Sequence, residues 1–164
     1  LFGAVDVVRY LQVQDNLIRA VSTTADAIGR QNGISSSEIT AFLTHAASTI
    51  NPDATGGAAT ITVASVHRDG ADDPEIAWRR NQNGGSNTFT GDCQQTGAEG
   101  EPANLPTGFT VAQDDTVIVA EACYSFVPAF LISPVVFNLD FVPLDIYGRA
   151  VAAARFGALT VVEP

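Results

Sequence analysis

The chain contains no methionine and no lysine. Without Met, Leu1 reads as following a processed or trimmed start, so any signal, targeting or spanning segment is expected upstream of it. Without Lys, the only full cations are eight arginines, set against 18 Asp and Glu for a formal charge of −10. No basic cluster exists to neutralise phosphates, which argues against nucleic acid and anionic membrane surfaces as partners. Cysteine is almost absent too. Cys93 and Cys123 fit neither a zinc site nor CxxC chemistry. An even pair far apart in an exported domain reads as one disulfide, and two buried free thiols in a cytosolic protein are the alternative. Cys93 lies in a Gly/Gln-rich stretch where a free thiol would be exposed, which favours the bond. The two histidines, His45 and His67, have no Ser, Asp or Cys brought to them by any motif. HExxH, the P-loop, GxGxxG and GxSxG are all missing. No catalytic residue, metal site or cofactor is therefore assigned.

What is present is a globular chain. Of its 164 residues 46% are hydrophobic and 16% charged, enough for a core in a single domain and too apolar for disorder. From Tyr10 the residues Tyr10, Val13, Leu17, Val21, Ala25 and Ile28 recur at helical steps. Asn32-Gly33 follows as a stop. Leu1, Phe2, Ala4, Val5, Val7 and Val8 leave only Gly3 and Asp6 as breaks, so this end is apolar all round and belongs in protein or lipid. Only the part from Tyr10 is expected to dock on the rest of the chain. Ser35 and Glu38 form a capping box ahead of a second helix bearing Ile39, Phe42, Leu43, Ala46 and Ile50 on one side. Asn51-Pro52 ends it.

The period then changes to two. Ala59 to His67 and Glu75 to Arg80, joined by a turn at Asp69-Gly70, predict a β-hairpin with Ile76 and Trp78 inward. Asn81 to Gly108 is a long irregular surface segment that needs a tether or a job. Thr116 to Val127 is the clearest strand, with Val117, Val119, Glu121 and Cys123 on one face. Its other face carries Ile118, Ala120, Ala122, Tyr124 and Phe126. Ala129 to Ile146 is apolar but broken by Pro134, Asn138, Asp140, Pro143 and Asp145, so it spans no membrane. Tyr147 to Val162 reads as helix by its alanines and as strand at its end. As a strand it would set Arg149 and Arg155 on one face, available to Glu121 or the many other carboxylates, a solvated polar face being the alternative. The fold expected is α+β: a long N-terminal helix (1–30) packed on an antiparallel sheet of about four strands within a soluble domain (31–164).

This order, and three stretches within it, resembles the TadE-like family of pilin-related proteins from bacterial tight-adherence (Flp, type IVc) pilus systems. Leu1-Phe2-Gly3-Ala4-Val5-Asp6-Val7-Val8-Arg9-Tyr10-Leu11 looks like the exit from that family's single membrane helix. Val117-Ile118-Val119-Ala120-Glu121-Ala122-Cys123-Tyr124, followed by Pro128, looks like its strand ending in an aromatic and a Pro. Arg149 to Arg155 resembles its closing segment. The resemblance implies a structural minor pilin or pseudopilin, not an enzyme. Its partners would be other pilins and the inner-membrane assembly platform, with a membrane contact through a helix upstream of Leu1. It would be anchored in the bacterial inner membrane with its soluble domain in the periplasm, reaching the pilus or cell surface after assembly. Val5, Val8 and Leu11 would then form the helix assembly interface, and Cys93 and Cys123 would tether the long loop. The alternative is a secreted adhesive or ligand-binding module using that loop. In it the Asp69-Gly70-Ala71-Asp72-Asp73-Pro74-Glu75 stretch could hold Ca²⁺, although hairpin turns attract Asp and Gly for backbone reasons alone. Trp78 is either a sugar-stacking platform or core.

Overall fold

The computed structural model describes residues 2–50, 59–83, 93, 95–127, 144–157 and 161–162. Helix α1 spans Phe2–Gly29, strand β1 Ile34–Ser35 and helix α2 Ser36–Ile50. Strands β2 (Ala59–His67), β3 (Glu75–Asn83), β4 (Thr116–Phe126) and β5 (Leu144–Ala153) form one antiparallel sheet in the order β3-β2-β4-β5. A two-residue strand β6 (Val161–Val162) pairs in parallel with β1. The expected α+β arrangement is the one the chain adopts. Asn51-Pro52, Pro128, most of the broken apolar stretch and residues 84–92 lie outside the described residues.

Both helices cover the same face of the sheet, α1 over β4 and β5 and α2 over β2 and β3. The α1 stripe meets the sheet as its spacing requires: Leu17, Val21, Ala25 and Ile28 are buried, and Tyr10 and Val13 pack against them at the edge. Ile39, Leu43, Ala46 and Ile50 of α2 complete that layer over Ile61, Val63, Trp78, Ile118 and Ala120. Each large aliphatic side chain buried here contributes about 1.5–3 kcal/mol relative to exposure. The capping box starts α2 as expected. Ser35 N–H donates to Glu38 Oε2 at 2.8 Å, and Glu38 N–H donates back to Ser35 Oγ at 3.3 Å. The Ser35 N–H bond, and after it the bond that Ser35 Oγ donates to Glu38 Oε2 at 2.7 Å, hold the Glu38 carboxyl below its usual range.

The sheet's other face is covered as well. Ala64, Val66, Val117 and Val119 point away from the helices and are buried with Ile76 and Val111, with Ala103 and Leu105 packed against them. Residues 95–111 remain an irregular, largely exposed segment, and its inward side chains make it a covering strap, which is the job its length called for. The reason lies in the strands beneath: β4 is buried at every position and β2 at seven of nine. A sheet apolar on both faces must be covered on both.

The structure also refines the readings of the hairpin and of the last strand. A bulge between Ser65 and Val66 pairs Ser65 with Trp78 and Val66 with Ile76. The extra residue turns Trp78 to the helix side and Ile76 to the strap side, so both are core but on opposite faces. Trp78 is buried and offers no stacking platform. The ambiguous segment from Tyr147 is strand as far as Ala153, because it completes the β4 edge over ten residue pairs. Arg155 lies beyond that strand, exposed, and its backbone N–H donates to Gly29 O at 2.8 Å instead.

Candidate functional site

Three features stand out on this frame: the outward face of α1, the clamp beneath the strap, and the acidic end of the hairpin. The first concerns the three residues expected to form a helix interface. Val5, Val8 and Leu11 are exposed at 44%, 53% and 55%, and Val7 and Ile18 join them. The sequence pattern does not show what lies on the inner side of these turns. Asp6, read as a break in an apolar end, is buried and faces inward. Its carboxylate sits 3.6 Å from the Arg9 guanidinium, which lies over the Phe126 ring with 5.8 Å to the centroid. Tyr10 meets the same ring edge-on at 5.7 Å. Docking thus begins at Asp6 and not at Tyr10, and the first turns of α1 are inverted in polarity. Charged residues turn in and aliphatic residues turn out.

The clamp joins the strap to the centre of the sheet. Cys93 and Cys123 form a disulfide, Cα atoms 5.6 Å apart, as their separation and setting suggest. Two residues before Cys123 on the same face, Glu121 is buried. It stands directly opposite Arg149 in the β4–β5 register, with Arg149 Nε 3.3 Å from Glu121 Oε1. Tyr147 Oη donates to the same oxygen at 2.7 Å, and Thr96 N–H donates to Oε2 at 3.3 Å. Arg149 Nη2 reaches on to Thr96 Oγ1 at 2.9 Å and to the Asn104 carbonyl. The sequence pairing of Arg149 with Glu121 holds; that of Arg155 does not. The buried carboxylate is compensated by a cation and two further donors, as burial of a charge requires.

At the sheet's far end the Asp69–Glu75 turn and Asp114-Asp115 lie side by side. Gly70 N–H donates to Asp114 Oδ1 at 3.2 Å, and Arg68 binds across to the Asp72 and Val111 carbonyls. Gly70 takes φ +55°, as tight turns demand, and Asp114 takes φ 60°. A cleft of about 460 Å³ lined by His67, Asp69, Asp72, Asp73 and Glu75 opens there. His67 Nδ1 is engaged with Thr116 Oγ1 at 2.9 Å. Among the described residues no three His, Cys, Asp or Glu side chains converge on a metal position. Nor, among them, is any helix long and apolar enough to cross a membrane.

No protein-family model matches this chain, and no characterised protein or solved structure matches it either.

Proposed function

We propose that the chain is a structural subunit of a bacterial surface fibre, a minor pilin or pseudopilin of the TadE-like kind, working by helix packing and not by bond chemistry. The observation that carries this reading is the inverted polarity of the first turns of α1. A helix on a folded domain normally turns its apolar side to the core. Here Asp6 and Arg9 take that side while Val5, Val7, Val8 and Leu11 face out. Exposed aliphatic side chains in a continuous row mark an interaction surface. In this reading α1 continues a membrane-embedded helix, and its outward residues pass from lipid to neighbouring helices as the fibre assembles. The strap and its disulfide support a location outside the cytoplasm, where such bonds persist. The domain would then sit in the periplasm, tethered to the inner membrane and its assembly platform.

The test is site-specific photo-crosslinking in the producing cell, with benzoylphenylalanine at Leu11 and, as control, at Gln113 on the far side of the domain. Adducts with other fibre subunits are expected at Leu11 alone. Leu11→Arg and Val8→Arg are expected to abolish surface fibres while leaving the domain folded. Normal fibres in both variants, with no adduct at Leu11, would overturn the proposal.

A further inference from the structure

We infer that the outward face of α1 is a seam for one helix of a different chain, and that Asp15 selects that partner by requiring a cation opposite it. The inference rests on the helix-packing reading above and adds the identity of what docks. Ala4, Val8, Leu11, Asp15, Ile18 and Ser22 follow alternating four- and three-residue steps, and all six are exposed. That alternation is the spacing by which two helices wind about each other in a left-handed pair. The sheet-facing residues Tyr10, Val13, Leu17 and Val21 lie on the opposite side, so α1 carries two separate contact stripes. Val5 and Val7 widen the outer stripe at its start.

Asp15 is the only charge among the six. A polar residue at one seam position sets register and partner at a cost in stability. A second copy of the chain answers it badly in either direction. Parallel and in register, Asp15 would face the other copy's Asp15. Antiparallel, it would be covered by an aliphatic residue with its charge desolvated. Arg19 does contact Asp15, Nη2 to Oδ2 at 2.8 Å, with both side chains more than half exposed. Such an exposed pair contributes little and does not offset burial of the carboxylate. A partner helix with an aliphatic seam and one Lys or Arg opposite Asp15 satisfies every position. A bilayer surface fits less well. The chain has no Lys and a charge of −10, and the outward residues described on α1 include no aromatic, whereas interfacial helices carry basic flanks and aromatic anchors.

The experiment uses the full chain and two synthetic helical peptides of three heptads with identical aliphatic seams. They differ only at the residue facing Asp15, Lys in one and Glu in the other. Binding is read by fluorescence anisotropy, and self-association by sedimentation equilibrium of the wild type and of Asp15→Leu. The wild type is expected to be monomeric at micromolar concentration and to bind the Lys peptide roughly tenfold tighter than the Glu peptide. Asp15→Leu is expected to lose that preference and to self-associate through its completed seam. Equal binding of the two peptides, or a wild-type dimer, overturns the choice of partner while leaving helix packing intact. Failure of both peptides to bind, with Asp15→Leu still monomeric, overturns the packing reading as well. Stronger retention on phosphatidylglycerol vesicles than on either peptide overturns the inference in favour of lipid.

Discussion

Gly148 on β5 lies directly under Leu17 on α1, so close that a methyl group added to it would stand 2.1 Å from Leu17 Cδ2. The absent side chain is what lets the helix settle onto the sheet. Gly29 repeats the arrangement at the helix end, where a Cβ would meet the Ala153 carbonyl oxygen at 2.9 Å. Gly148→Ala is therefore expected to destabilise the chain by about 1–3 kcal/mol through overpacking, read as a lower urea midpoint at unchanged slope. An unchanged midpoint would mean that α1 floats above β5.

The two stripes of α1 separate stability from assembly. Leu17 is fully buried, so Leu17→Asp is expected to cost at least about 3 kcal/mol, combining lost packing with a desolvated charge. Val5 faces solvent, and Val5→Asp should change stability by no more than about 0.5 kcal/mol. Thermal melts of both variants decide the matter; similar losses in the two would contradict the division.

The pair Glu121 and Arg149 sits under the strap, with side chains 2% and 12% exposed. Arg149→Met leaves a buried carboxylate without its cation and is expected to cost about 3–5 kcal/mol. Adding Glu121→Leu should recover part of that loss, since a hydrophobic replacement of both partners leaves no orphaned charge. Limited proteolysis adds a local readout: cleavage between residues 95 and 111 should rise in the single variant and fall back in the double.

For the disulfide, the bonded cysteines are 30 residues apart, which the chain-entropy model converts to roughly 3.5 kcal/mol. Mass spectrometry of non-reduced material from the exporting cell is expected to show the mass of the bonded form, and the Cys93→Ser, Cys123→Ser double variant to melt lower. Two free thiols in the exported protein would remove the tether and the main support for a location outside the cytoplasm.

The start of α2 responds to pH. Glu38 accepts from both the backbone N–H and the hydroxyl of Ser35, which lowers its pKa in the folded chain. A depressed folded pKa stabilises fully above the unfolded Glu value of about 4.3 and is lost as pH falls through the folded value. Glu38→Gln should thus be less stable than wild type at pH 6, and the gap between them should close toward pH 3. A gap that is constant with pH in denaturant titrations would show that the charge of Glu38 plays no part in the cap.

The elements and much of their burial were legible in the local residue pattern. Periodicity is local, so Leu17, Val21 and Ile28 on one helix stripe, the Ser35–Glu38 cap and the two faces of β4 could all be read without knowing what they touch. The cysteine pair was legible for a related reason: only two exist, so only one intramolecular bond is possible. Tertiary structure alone decided everything that depends on a neighbour distant in the chain. Trp78 and Ile76 part company because β2 imposes a bulge on β3. The segment from Gln95 to Val111 becomes a cover because the sheet beneath it is apolar on its second face too. Asp6 looked like an interruption of an apolar run, and it turns inward toward Arg9 because helix rotation is set by Leu17 meeting Gly148 two or three turns further on. Once that contact fixes the angle of α1, the orientation of every earlier residue follows, and Val5, Val8 and Leu11 are left facing out.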